Sequence, residues 1–212
     1  MGSPLQKVAK YTLGSLVRLT LLPFRRGPHI VRYCMYRRIR AGLDGAPLRG
    51  STLSISGSTP MVRALGIEGE LVEAFYPAVD WLSLPYPDGR FDFVVSDQVL
   101  EHVAGNPQRA MDETRRVLKP GGLAFVATCL INPIHDAPGD FWRFTPWGLE
   151  LLCRDYASVL QSGGWGNRWV WTIKDLGLRH AGVPEAAWHP YRWLALHDDP
   201  KWPVSTWVVA RK

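Results

Sequence analysis

Cysteine is scarce in this chain. Three in 212 residues (Cys34, Cys129 and Cys153) are too few and too scattered for a disulfide framework, and none form the C-x-x-C spacing of zinc or redox sites. The expected setting is therefore reducing and cytoplasmic. Long apolar runs are missing too. Leu13 to Phe24 is interrupted by Arg18 and falls short of the roughly 20 residues that span a bilayer, so no transmembrane segment is expected. It also lacks a small-residue cleavage site, which argues against a signal peptide. A complete G-x-G-x-x-G turn is absent, which disfavours a nicotinamide dehydrogenase. No repeat and no low-complexity tract occurs. Acidic residues are absent from the first 43 positions, which carry nine basic ones (Lys7, Lys10, Arg18, Arg25, Arg26, Arg32, Arg37, Arg38, Arg40).

The remaining composition is globular. With 46% hydrophobic and 21% charged residues, the chain has the makings of one packed domain with a short extension. The formal charge of +6 belongs to the basic arm, leaving a net −3 for residues 44–212. The expected organisation is a basic helical N-terminal extension over residues 1–43 and one domain over 44–212. The arm reads either as a flap docked with its Arg side outward or as a segment meeting an anionic surface. The flap is the default, because basic helical faces are usually only solvated.

After Arg49-Gly50, short apolar runs alternate with helical stretches. Strands are expected at Leu53–Ser56, Leu71–Phe75, Trp81–Leu84, Phe91–Ser96, Leu123–Cys129, Trp169–Ile173 and Thr206–Ala210. Helices are expected at Pro60–Gly66, entered through Ser58-Thr59, at Asn106–Leu118, stopped by Lys119-Pro120-Gly121-Gly122, and at Thr145–Tyr156. Such alternation implies an α/β fold, a mainly parallel sheet covered on both faces. Open sheets of this kind bind ligands at the carboxyl ends of their strands. The first strand ends in Ser56-Gly57-Ser58, a turn where glycine permits close approach and hydroxyls can donate. The second strand offers Glu73, and Asp80 follows seven residues later; carboxylates at such ends accept hydrogen bonds from a ribose diol or an adenine amino group, or are simply solvated.

Three segments then fall within 43 residues: Asp80-Trp81-Leu82-Ser83-Leu84-Pro85-Tyr86-Pro87-Asp88 leading to Phe91-Asp92, then Val99-Leu100-Glu101-His102-Val103, then Glu113-Thr114-Arg115-Arg116-Val117-Leu118-Lys119-Pro120-Gly121-Gly122. Their order and spacing resemble the small-molecule branch of the class I S-adenosylmethionine-dependent methyltransferases. The resemblance implies a Rossmann-like, doubly wound, mostly parallel seven-stranded sheet and S-adenosyl-L-methionine as cofactor. It places Asp80 on the adenine amino group with Trp81 beside the ring, Glu73 on the ribose, the Ser56-Gly57-Ser58 turn at the methionine part, and Ser96-Asp97-Gln98 beside the sulfonium. Where the family has an acid and two glycines in its first motif, this chain has Ser54, Ser56 and Ser58.

A second resemblance concerns the acceptor. Residues His135 to Thr145 (His-Asp-Ala-Pro-Gly-Asp-Phe-Trp-Arg-Phe-Thr) are similar to the H-x-x-P-x-D-[FY]-x-R-[FY]-T segment of bacterial methyltransferases of sugar and glycan metabolism. Methyl transfer to a hydroxyl needs the acceptor aligned and deprotonated, and histidine is the natural base near neutral pH. His135 is the first candidate, with Asp136 or Asp140 orienting it; His102 is the second, or else it and Glu101 brace the cofactor loop. Asp136, Trp142, Arg143 and Trp147 are candidates for holding the acceptor, with Arg143 equally suited to pairing with Asp140. No catalytic metal is expected. Nine of the ten tryptophans lie beyond residue 140, and indole faces stack on sugar C–H faces as readily as they fill cores. The expected activity is O-methylation of a small molecule, a sugar or oligosaccharide, in polysaccharide biosynthesis. Arg outnumbers Lys 19 to 6, and the small size resembles the actinobacterial sugar O-methyltransferases of methylmannose polysaccharide synthesis. A homodimer fits as well as a monomer. The rival readings are an RNA methyltransferase using the basic arm and a catalytically silent binding protein of the same fold.

Overall fold

The computed structural model describes residues 12, 15–16, 18–24, 26–43, 45–135, 139–178 and 180–212. These fall into two compact units, one formed by residues 1–34 with 165–204 and one by residues 35–164 with 205–212.

The second unit carries the sheet. Its strands are β1 (Thr52–Ile55), β2 (Leu71–Ala74), β3 (Phe91–Asp97), β4 (Leu118–Cys129), β5 (Ser158–Trp165, whose last residue falls in the first unit) and β6 (Ser205–Arg211), in the order β2-β1-β3-β4-β6-β5. β1 runs parallel to both β2 and β3, β3 runs parallel to β4, and β6 is antiparallel to β4. The near-continuous apolar runs explain this placement. Every residue of β1 is buried and β3 is buried at five of seven positions, the signature of strands covered on both faces. Leu53, Phe91, Val94, Met111, Ala124, Leu149 and Val208 belong to one core cluster. Cys129 and Cys153 are free and buried, and burial pushes both thiols up to about 12, so neither is a nucleophile.

Three helices pack with the sheet: α1 (Thr59–Leu65), α2 (Pro107–Val117) and α3 (Pro146–Leu152). α2 starts where Asn106 accepts from the Gln108 amide, with Pro107 in the first turn. α3 starts where the Thr145 side chain accepts from the Gly148 amide. Thr145→Ala is therefore expected to lower stability by about 1 kcal/mol, read as a shift of the urea midpoint at constant slope. The expected cap on α1 does not form. The Ser58 hydroxyl donates instead to the Ile55 carbonyl at 2.5 Å and accepts from the Asp97 amide at 2.8 Å, stitching the ends of β1 and β3 together.

The sheet has six strands among the described residues, not seven. Trp81–Leu84 is a turn, and the reason lies in α2. The Trp81 indole donates to Thr114 at 2.8 Å, the Leu84 amide to Glu113 at 2.9 Å, and Arg109 and Arg116 donate to the Leu82 and Leu84 carbonyls. Side chains of the helix thus take the bonds that a neighbouring strand would otherwise provide. Glu113 and Arg116 of the E-x-x-R motif are framework residues for that turn. The Gly121-Gly122 pair is equally structural: Gly121 has φ +80°, and a Cβ on Gly122 would meet the Asp92 carbonyl at 2.9 Å.

The sixth place in the sheet, an edge beside β6, is filled by β5 rather than by Trp169–Ile173. Residues 170–173 are helical, with the Asn167 side chain accepting from the Trp169 amide at 3.1 Å. This helix lies in the first unit, which also pairs Arg26–His29 antiparallel with Gly182–Pro184. Tyr33 donates there to Glu185 at 3.0 Å, and Phe24 packs edge-on against Trp188 with ring centroids 5.2 Å apart. Residues 1–34 are thus grouped with residues 165–204. The basic positions Lys7, Lys10 and Arg25 lie outside the described residues. Among the described residues, no helix is long and apolar enough to cross a membrane.

Candidate functional site

The carboxyl ends of β1, β2 and β3 open into a cavity of about 560 Å³. It is lined by Ser56 after β1, Tyr76, Val79, Asp80, Trp81 and Leu82 after β2, and Gln98, Val99, His102, Val103 and Ala104 after β3. Size and lining suit an organic cofactor: mostly apolar walls with a few convergent polar groups. Two non-glycine residues on its rim have left-handed backbone, Ser56 at φ 44° and Gln98 at φ 60°, a strain that turns the chain sharply at both strand ends. The Gln98 side-chain amide nitrogen is buried and finds no partner among the described residues. A buried donor left open beside a cavity is what a bound ligand's acceptor would satisfy.

The expected cofactor residues divide into those that reach the cavity and those that do not. Asp80 is exposed at its wall, with one carboxylate oxygen accepting from the Leu82 amide at 2.8 Å and the other available. Trp81 reaches the wall, but its indole N–H is spent on Thr114 and its ring is core. Glu73 accepts from the Thr59 hydroxyl, and Ser58 is buried as a stitch between strands; neither lines the cavity. Gly57, at φ +84°, carries the turn between Ser56 and Ser58. Ser96 is fully buried inside β3, and Asp97 accepts from Tyr36 at 2.6 Å. Tyr36, which bonds Asp97, and Tyr76, which lines the cavity, are neighbours of the site that pattern reasoning does not single out. Tyr76 was signalled only as an aromatic just past a strand end, and nothing local in the sequence ties Tyr36 to Asp97.

The loop after β4 gathers the acceptor candidates. Asp136 lies outside the described residues. Asp140 is a fixed anchor: its side chain is 1% exposed, it is paired with Arg143, it accepts the His135 amide at 2.9 Å, and it stands 3.2 Å from His135 Nδ1. His135 Nδ1 also lies 2.9 Å from the Asn132 amide nitrogen and 3.2 Å from the Pro133 carbonyl. His102 contacts the Gly139 carbonyl through Nδ1, and the two imidazoles meet edge-to-face with centroids 4.8 Å apart. Arg143 is bound into the loop, its terminal nitrogens donating to Asp140 and to the Trp142 and Asn132 carbonyls, with its side chain 26% exposed. Trp142 donates to the Val103 carbonyl at 3.0 Å and stacks with Phe144, leaving its ring partly exposed, while Trp147 on α3 is 76% exposed.

The Arg143 guanidinium beside Asp140 holds its carboxyl far below the usual carboxylate range. With the folded value below the unfolded one, the pair's contribution is complete above about pH 4 and fades as pH falls through the lower folded value. Acid unfolding of Asp140→Asn is accordingly expected to show a shallower loss of stability below about pH 4 than the parent chain, by tryptophan fluorescence in urea. An equal slope would remove the pair from the loop's framework.

Comparison with known proteins bears on residues 47–126, which match the methyltransferase domain family. A Mycolicibacterium smegmatis protein named as a probable S-adenosylmethionine-dependent methyltransferase is 36% identical over 122 residues, 54% of this chain and 44% of that protein. The rice chloroplastic 2-methyl-6-phytyl-1,4-hydroquinone methyltransferase 1 is 36% identical over 107 residues, 45% of this chain and 30% of that one. Each match thus spans less than half of the relative's length. Among solved structures, the Burkholderia thailandensis 1,6-didemethyltoxoflavin-N1-methyltransferase, with S-adenosylhomocysteine bound, superimposes with a TM-score of 0.51 at 13% identity over 100% of this chain and 91% of that one. The strand order, the cavity at the strand ends and these likenesses agree: the fold is that of the class I methyltransferases.

Proposed function

We propose that this chain is an S-adenosylmethionine-dependent methyltransferase that methylates a hydroxyl of a small molecule, a saccharide. The observation that carries the cofactor assignment is the cavity at the ends of β1, β2 and β3, with Asp80 at one wall and the unpartnered Gln98 amide at another. The matched methyltransferase domain covers the same strands. When bound, the cofactor supplies a methyl group on a cationic sulfonium. The chain's own residues do the rest. Asp80 accepts hydrogen bonds from the ligand, Val79, Leu82, Val99 and Val103 exclude water, and the His135 loop receives the acceptor and its proton. Asp80→Ala removes one charge-assisted acceptor and is expected to weaken S-adenosylhomocysteine by about 10- to 100-fold without a change in melting temperature. Unaltered affinity would move the ligand elsewhere.

The saccharide reading rests on the exposed rings of Phe141, Trp142 and Trp147 in the chain that follows His135. Flat apolar faces beside polar loop groups match the alternating C–H and hydroxyl faces of a sugar. The test is transfer of labelled methyl from the cofactor to a panel of mono- and oligosaccharides at low and high salt. Salt-insensitive transfer to a sugar hydroxyl is expected. Salt-sensitive transfer to RNA would replace this reading, and cofactor binding with no transfer to any acceptor would favour a silent binding protein.

A further inference from the structure

We propose that Glu101, His102 and His135 form a binding site for one divalent transition-metal cation, of the zinc or manganese class, beside the cavity whose wall His102 lines. The site deepens the methyl-transfer reading, on which it rests only for its role and not for its existence. Glu101 and His102 sit on the short turn after β3 and His135 on the loop after β4, so two adjacent parallel strands deliver them to one place. One ligand atom from each lies within 4.8 Å of the others.

The surroundings are those of ligands held ready. Each of the three is fixed by one polar atom and keeps a second. Glu101 is fully buried; one carboxylate oxygen accepts from Thr128 at 2.7 Å, and the other is buried without a hydrogen-bond partner among the described residues. His102 is tied through Nδ1 to the Gly139 carbonyl, which leaves its Nε2 lone pair. His135 Nδ1 stands 3.2 Å from Asp140 and from the Pro133 carbonyl and 2.9 Å from the Asn132 side-chain nitrogen; in the tautomer that donates from Nδ1 to the two oxygens, its Nε2 lone pair is left as well. Metal-binding histidines commonly donate their other ring nitrogen to a backbone carbonyl or a carboxylate, and both partners are present here. A buried carboxylate oxygen with no donor is costly unless a positive group completes it.

Two imidazoles and one carboxylate select among ions. Nitrogen donors suit zinc, manganese, cobalt or nickel, whereas magnesium and calcium prefer all-oxygen shells. Ligand atoms around zinc stand roughly 3.3 Å apart, so the triangle contracts by side-chain rotation when filled. Three protein ligands leave a position open. An acceptor hydroxyl there would lose its proton to water near neutral pH, its oxygen would form the new bond to the methyl carbon as the carbon–sulfur bond breaks, and the electron pair would stay on sulfur as a neutral thioether. His135 then acts as a ligand in place of a free base.

The full chain, stripped with chelator, is titrated with Co²⁺ and followed by visible d–d absorption, with Zn²⁺ as competitor and S-adenosylhomocysteine binding measured on the metal-free sample. One Co²⁺ per chain, displaced by Zn²⁺, is expected, with at least 10-fold weaker binding in both Glu101→Gln and His135→Ala. His135 is partly exposed, so its variant keeps the test open if the buried Glu101 variant does not fold. Co²⁺ binding that is absent, or as tight in His135→Ala as in the parent, would overturn the site. Loss of S-adenosylhomocysteine binding with Co²⁺ binding intact would count against the methyltransferase reading and leave the metal site standing.

Discussion

His135→Ala is expected to lower methyl transfer by about 100-fold or more while leaving S-adenosylhomocysteine affinity and melting temperature near those of the parent, measured by labelled-methyl turnover, calorimetry and a thermal scan. The size follows from what the residue does. A hydroxyl is a poor nucleophile while protonated, and His135 is tied at Nδ1 by Asp140 and Pro133 with the opposite nitrogen available. As a base that nitrogen takes the acceptor's proton; as a ligand it holds the proposed ion, which lowers the hydroxyl's pKa so that the proton passes to water. The small stability cost follows from position: the side chain is 26% exposed on a loop, away from the core cluster. His135 does not line the cofactor cavity, so binding of the cofactor should not register its loss. Parent-like turnover would transfer the role to His102, which does line it.

The second large effect is on the fold. Phe125 lies in the middle of β4, fully buried, paired in register with Val95 on one side and Val209 on the other, and tilted against Phe93 at 6.3 Å. Phe125→Ala leaves a cavity on one face of the sheet, where its ring stands perpendicular to the strands, and a backbone paired on both sides cannot move in to fill it. A loss of about 3–5 kcal/mol is expected. In a chain of this size that is a fall in melting temperature of roughly 6–20 °C by calorimetry. A fall of a degree or two would mean that the central strands relax far more than their two-sided pairing suggests.

What could be read from the sequence follows from how local each signal was. The apolar runs of β1, β3 and β4 identify themselves, because a strand buried on both faces has no alternation to confuse. The expected helix starts at Asn106 and Thr145 agree with the structure, where side chain and amide bond two or three residues apart, whereas the cap expected at Ser58-Thr59 is replaced by a bond between strand ends. Trp81–Leu84 misled because its apolar residues do enter the core, while its backbone is held by Arg109, Glu113 and Arg116 from a helix some 30 positions later. β5 was missed because its Gly163-Gly164 pair weakens any strand pattern, and the strand is set by its place beside β6.

The site divides in the same way. Asp80, Ser56, Gln98 and His102 lie next to strand ends, and the strand ends were readable. Glu73 and Ser58 also stand at strand ends, yet they bond to Thr59 and to Ile55, choices made by side-chain geometry that no spacing records. Arg143 was equally suited to an acceptor or to Asp140 on paper, and the folded loop gives it to Asp140. The nearness of Glu101, His102 and His135 depends on two adjacent strands ending at the same level. The motifs named each residue, but only the sheet brings the three together.

Titration calorimetry of the purified chain with S-adenosylhomocysteine, with Asp80→Ala in parallel, tests the central claim most directly. The account predicts saturable one-to-one binding in the micromolar range, weakened in the variant. No heat of binding in a folded parent chain, or equal binding in both, would contradict it.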